Sequence, residues 1–160
     1  MIFLMTTRGI PQIYYGGEIL MTGREHEGHG YIREDFPGGW PDDKKDAFTS
    51  QGRTEEQEEA FNFMRRLLNW RKSNKTVQFG ELSQYLPEDD VYVYFRHFEG
   101  ESVMVVLNNI SENKVLDLSR FEKDLAGFNK GRSVLTRQLF DSLDTLNVPA
   151  KSGLVIELGK

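Results

Sequence analysis

Apolar residues fall along this chain in three rhythms, and each predicts a different kind of element. Ile10, Ile13, Tyr14 and Tyr15 make a nearly continuous run, which predicts a strand over residues 10–15 buried on both faces, as in a parallel sheet. Residues 1–7 before it read as the end of a helix, stopped at Gly9 and barred from continuing by Pro11. Further on, Ala60, Phe61, Met64, Leu67 and Leu68 recur at spacings of three and four, one buried stripe of an amphipathic helix. Thr54 with Gln57 supplies a capping box, and the order of Glu55, Glu56, Glu58 and Glu59 before Arg65, Arg66, Arg71 and Lys72 is the one a helix dipole favours. After Asn74 the rhythm turns to alternation. Residues 91–97 and 103–107 flank Glu99-Gly100-Glu101 and predict a hairpin, with further strands at 115–118, 133–140 and 154–158. Short strands without crossover helices imply an antiparallel β-sandwich.

Between these segments, residues 21–53 show no sustained period and are punctuated by Gly23, Gly28, Gly30, Pro37, Gly38, Gly39, Pro41 and Gly52. A long irregular stretch inside a compact protein is usually functional. A parallel strand also needs neighbours joined by crossover connections. Only seven residues precede Arg8, so the partners of the 10–15 strand are expected outside this sequence, and the chain reads as the tail of something larger.

Two segments carry a family resemblance. FLMTTRGIPQIYYGGE, residues 3–18, resembles the passage from the seventh helix into the eighth strand of the catalytic barrel of the α-amylase superfamily, glycoside hydrolase family 13. IREDFPGGWPDD, residues 32–43, resembles the loop after that strand in the neopullulanase and cyclomaltodextrinase branch, bacterial starch-utilisation members above all. The resemblance implies a mixed fold: residues 1–79 as the last strand, long loop and last helix of a (β/α)8 barrel, and residues 80–160 as the C-terminal β-sandwich of the family. It implies a parent enzyme that is a retaining glycosidase on starch-derived maltooligosaccharides, pullulan or cyclodextrins. In the family the three catalytic acids come from strands four, five and seven, which the resemblance places ahead of Met1, so the chain alone is expected to be inactive.

Composition narrows the remaining chemistry. The formal charge of −5 gives no electrostatic basis for nucleic acid, which is bound by Lys/Arg neutralising phosphates. The acidity concentrates in residues 21–59, where eleven acids face five Lys/Arg. The absence of cysteine removes disulfides, zinc-thiolate sites and thiol nucleophiles. MIFLM is too short to span a bilayer and lacks the features of a secretory signal, so no membrane partner is expected. The compartment stays open, with the resemblance tilting it to the periplasm and the cytoplasm as the alternative.

No residue here is a catalytic candidate. For substrate contact the resemblance points to Arg33, whose guanidinium could donate fixed hydrogen bonds to sugar hydroxyls, against the plainer alternative of pairing with Glu34 or Asp35. Here Gly28-His29-Gly30-Tyr31-Ile32-Arg33 departs from the acid and two consecutive bases common in cyclomaltodextrinase-type relatives. Trp40, between Gly38-Gly39 and Pro41, is a stacking candidate, with an aromatic that anchors its own long loop as the equal alternative, and Tyr15 is a further candidate, although strand core is the expected place for both Tyr14 and Tyr15. Glu18 reads as a supporting carboxylate. His26 and His29 with Glu25 and Glu27 imitate a metal cluster, but Gly28 and Gly30 argue against the helix turn that would align them. No cofactor is expected; the resemblance allows calcium in the parent and identifies no site for it here.

The expected partners are an α-glucan or maltooligosaccharide in the parent, the remainder of the barrel, and a second copy of the chain in a homodimer. A non-catalytic carbohydrate-binding module and a structural or dimerisation domain are the alternative readings.

Overall fold

The structure is a computed structural model and describes residues 1–160. By contacts the chain divides into two units, Met1–Ile10 with Leu67–Lys160, and Pro11–Arg66.

The first unit is an antiparallel β domain. Its strands are β1 (Glu81–Gln84), β2 (Val91–Phe98), β3 (Glu101–Asn108), β4 (Lys114–Asp117), β5 (Lys130–Ser133), β6 (Leu139–Phe140), β7 (Thr145–Val148) and β8 (Gly153–Gly159). Six form one sheet in the order β1-β2-β3-β8-β5-β6, and β4 pairs with β7 in a second. Every pairing is antiparallel. The expected hairpin is present, with Phe98 opposite Glu101 and the left-handed Glu99 and Gly100 turning the chain. Alternation sorts the central strands. Val91, Val93 and Phe95 of β2, Met104 and Val106 of β3, and Ile156 and Leu158 of β8 share a core with Leu146 and Val148 of the small sheet and with Leu118, Phe121 and Leu125. Leu125 closes the short helix α4 (Glu122–Leu125).

The opposite face of the large sheet is covered as well. Tyr94 and Arg96 of β2 bond to residues of helix α1 (Ile2–Thr6) and to the residue after it. Helix α2 (Glu55–Ser73) sends Trp70 Nε1 to Glu157 Oε1 of β8 at 2.8 Å, and helix α3 (Lys75–Phe79) is capped by the Asn74 side chain, which accepts from Val77 N at 3.0 Å. The predicted capping box of α2 is reciprocal: Gln57 N donates to Thr54 Oγ1 at 3.2 Å and Thr54 N to Gln57 Oε1 at 3.0 Å. Met64 and Leu67 of its stripe are buried.

Two sequence expectations fail. Residues 10–15 are not a strand: Ile10 is 98% exposed, Tyr14 63% and Tyr15 43%. An apolar run becomes a strand only where another strand satisfies its backbone groups, and none runs beside it. The segment expected as one strand over 133–140 is instead a turn between β5 and β6, closed by Ser133 N donating to Gln138 O at 2.8 Å and by left-handed Arg137.

Candidate functional site

The second unit holds all three sequence-predicted contact residues. The chain reverses at Gly16, in left-handed backbone (φ 81), where a Cβ would meet Met21 Sδ at 2.4 Å, so only glycine fits this approach. A 3₁₀ turn, Gly17–Ile19, follows and buries Ile19 completely; Glu18 lies in that turn, a supporting position. The extended segment returning from Met21 runs against Ile32, since a Cβ on Gly23 would stand 2.7 Å from Ile32 Cα. Arg24 N donates to Tyr31 O at 3.1 Å.

Arg24 is the organising cation of this loop, and sequence reasoning missed it. Its guanidinium binds Glu27 at 2.9 Å and Glu34 at 3.5 Å and lies 4.9 Å from the centre of the Tyr31 ring. With Glu34 facing Arg24, Arg33 is exposed and forms no ion pair with Glu34 or Asp35. Tyr15 stands next to it: its hydroxyl donates to Glu34 O at 2.8 Å, and its ring centroid is 4.7 Å from that of Tyr14. Loss of water, then Tyr14 and Asp35, push the Tyr15 hydroxyl above its ordinary pKa, and Arg33 opposes them. Trp40 lies on a separate turn, 68% exposed, with its backbone N–H donating to Asp43 Oδ2 at 3.0 Å. The structure therefore brings Tyr15 to Arg33 and holds Trp40 on its own turn.

His26 and His29 occupy 3₁₀ turns at Glu25–Glu27 and His29–Ile32, a conformation the flanking glycines had argued against; left-handed Gly28 separates the two turns. His26 faces only Glu27, at 3.6 Å. No group of three or more His, Asp or Glu side chains is arranged to hold a metal, and no helix is long and apolar enough to cross a membrane.

The first unit contains the one buried carboxylate, Asp124. Its Oδ1 meets His97 Nε2 at 2.7 Å, and its Oδ2 accepts from Ser83 Oγ at 3.0 Å and from the Tyr85 hydroxyl. A serine, a histidine and an aspartate in contact invite comparison with a hydrolytic triad. A triad needs the serine on the histidine, whereas here both donate to the same carboxylate. Burial raises the Asp124 pKa, but hydrogen bonds from Tyr85, His97 and Ser83 outweigh it and hold the carboxyl below its ordinary value. The cluster is a fastening between α4 and the large sheet.

Residues 82–157 match the family described as the cyclo-malto-dextrinase C-terminal domain. A cyclomaltodextrinase from Thermoanaerobacter pseudethanolicus is 29% identical over 122 residues, 76% of this chain and 18% of that protein. A cyclomaltodextrin glucanotransferase from Niallia circulans is 38% identical over 108 residues, 67% of this chain and 12% of that protein. The chain thus spans only 12% and 18% of these two relatives. Among solved structures, the α-amylase of Geobacillus thermoleovorans, crystallised with acarbose, superposes with a TM-score of 0.73 at 20% identity, over 99% of this chain and 32% of that one. The cyclic α-maltosyl-(1→6)-maltose hydrolase of Arthrobacter globiformis does so at 0.68 and 15%, over 99% and 29%. With residues 82–157 inside a domain family of these enzymes, the chain belongs to the α-amylase family, glycoside hydrolase family 13, and corresponds to a C-terminal portion of such an enzyme.

Proposed function

We propose that the chain serves an α-glucan-hydrolysing enzyme of the cyclomaltodextrinase and neopullulanase branch, with residues 1–79 completing its catalytic (β/α)8 barrel and residues 80–160 forming its C-terminal β-sandwich. The match of residues 82–157 to the cyclo-malto-dextrinase C-terminal domain carries this reading. In such an enzyme Arg33, Tyr15 and Trp40 contact the glucan. Support comes from Arg33, exposed with no ion pair to Glu34 or Asp35 and beside the Tyr15 hydroxyl, and from the exposed indole of Trp40.

The 160-residue chain by itself does not hydrolyse. A retaining glycosidase needs two carboxylates about 5–5.5 Å apart, one of them free to attack, and the single buried carboxylate, Asp124, is occupied by three donors. Purified chain free of host enzymes should release no reducing sugar from starch, pullulan or cyclodextrin beyond a boiled control; release above that control would overturn the reading. In the longer enzyme, Arg33→Ala should weaken glucan binding or shift product lengths by the equivalent of about 1–3 kcal/mol, and unchanged kinetics across chain lengths would remove Arg33 from the site.

A further inference from the structure

Residues 36–53 contain no strand or α-helix, yet they are packed around one residue. A Cβ on Gly52 would stand 1.8 Å from the Asp46 carbonyl oxygen, and a Cβ on left-handed Gly38 (φ 112) would stand 2.5 Å from Asp46 Oδ1 and 2.9 Å from its Cα. The chain at Asp46 therefore passes between two backbones that come this close only as glycine. Asp46 also ties off the turn that follows it: Oδ1 accepts from Phe48 N at 3.0 Å, and its carbonyl accepts from Thr49 N at 3.2 Å and Thr49 Oγ1 at 3.0 Å. Ala47, 2% exposed, donates to Pro37 O at 2.8 Å and accepts from Arg53 Nη1 at 2.7 Å.

This crossing adjoins the turn that carries Trp40. Phe48 packs against Phe36 with ring centroids 4.6 Å apart and planes tilted by 41°, and comes within 3.5 Å of a Cβ placed on left-handed Gly39. From Gly39 the chain enters the turn in which Trp40 N donates to Asp43 Oδ2 and Asp43 N returns to Trp40 O at 3.2 Å. The backbone on either side of Trp40 is thus pinned while the residue itself is left 68% exposed. A ligand that stacks on such a ring does not have to order the loop first, which is where much binding free energy is otherwise lost.

We propose that Asp46 is a positioning residue for glucan binding: clasped between Gly38 and Gly52, it fixes the loop that offers the Trp40 indole as a ready face for a glucose ring. The ligand class rests on the assignment of Trp40 to the sugar cleft above. The apolar face of a pyranose and the flat indole suit each other, and the ring's exposure leaves room for the sugar.

The test is calorimetric titration of the chain with maltoheptaose, combined with amide hydrogen exchange at Ala47 and Phe48. Trp40→Ala should weaken binding about tenfold. Gly52→Ala and Asp46→Ala should weaken it to a similar degree although the indole is retained, and both should accelerate exchange at Ala47 and Phe48. Gly30→Ala, at an open position, should change neither readout. Protected amides in β2 and β3 distinguish a loosened loop from an unfolded chain, and Asp46→Ala carries the test if Gly52→Ala does not fold. Variants that lose protection at Ala47 and Phe48 but bind as the wild type would overturn the proposal, as would unchanged protection in Gly52→Ala. A wild type that binds no better than Trp40→Ala would instead overturn the assignment of Trp40 to glucan, and the positioning role with it.

Discussion

Arg96 and Thr6 lie ninety residues apart in sequence, and a guanidinium nitrogen of the first donates to the carbonyl oxygen of the second at 2.8 Å in the protein interior. The same nitrogen reaches Thr7 O at 2.8 Å, and its neighbour reaches Gly80 O at 2.7 Å. No carboxylate forms an ion pair with Arg96; carbonyls at the end of α1 carry its charge. Burial holds the guanidinium below its ordinary pKa, and nearby Arg71, itself donating to Met5 O at 2.6 Å, adds to that.

Replacing Arg96 should therefore be costly out of proportion to its being one surface-type residue. Arg96→Met strands two buried carbonyls and a third that is partly buried, and is expected to destabilise the chain by about 2–4 kcal/mol. Arg96→Lys should recover little of it, since a point charge cannot span the three acceptors. Urea unfolding followed by far-ultraviolet circular dichroism measures both, and a loss under about 1 kcal/mol for the methionine variant would contradict the account.

Asp124 should make the β domain acid-sensitive. Its pKa is depressed in the folded state, so its contribution is present above the ordinary value of 3.8 and is lost as pH falls below that value through the folded one. Asp124→Asn removes the charge that Ser83, Tyr85 and His97 share, and is expected to cost about 1–3 kcal/mol at neutral pH. The difference from wild type should shrink as the pH is lowered from 4 to 2. Denaturant midpoints measured across that range check the sign.

At the alkaline end, Tyr85 and Tyr94 are both pushed up to about 12, chiefly by burial, with Asp124 adding to the effect at Tyr85. The stability tied to their neutral forms is complete below about pH 10 and is lost as pH rises toward 12. A spectrophotometric titration should show two tyrosines ionising late, and Tyr85→Phe should remove one of them.

The turn between β1 and β2 offers a stabilising change. Asp89 and Asp90 both have left-handed backbone, with φ of 49 and 57, between Glu88 and Val91, which exchange hydrogen bonds of 3.2 and 2.9 Å. A two-residue hairpin loop of this kind favours glycine at its second position. Asp90→Gly should raise stability by about 0.5 kcal/mol, read as an upward shift of the thermal midpoint.

What was legible in the sequence was local. The capping box at Thr54 and Gln57 and the hairpin around Gly100 depend on neighbours within a few residues, and both stand as expected. The strands β1, β5 and β7, with sequences ELSQ, KGRS and TLNV, carry little strand propensity; pairing with β2, β8 and β4 makes them strands. Residues 10–15 fail for the converse reason, having the propensity without a partner. In the candidate site, Trp40 drew notice from its glycine and proline neighbours, but its 68% exposure was not something they dictated. Arg24's hold on Glu34, ten residues away, left no local trace. The Asp124 cluster draws its donors from up to 41 residues away, a distance no spacing rule addresses.

The position of β8 bears on how the chain is made. It is the last strand in sequence, yet it lies inside the large sheet, paired with β3 on one side and β5 on the other. During synthesis the β1-β2-β3 meander and the β5-β6 pair emerge first and have no hydrogen bonds between them until residues 153–159 are available. Each exposes an unsatisfied edge in the meantime, of the kind that captures other chains. Closure is a late, long-range step, and long-range pairing is slow. A nascent chain stalled or clipped before Gly153 would present two open sheet edges instead of none at that seam, which makes the final strand the point at which this domain passes from aggregation-prone to self-contained.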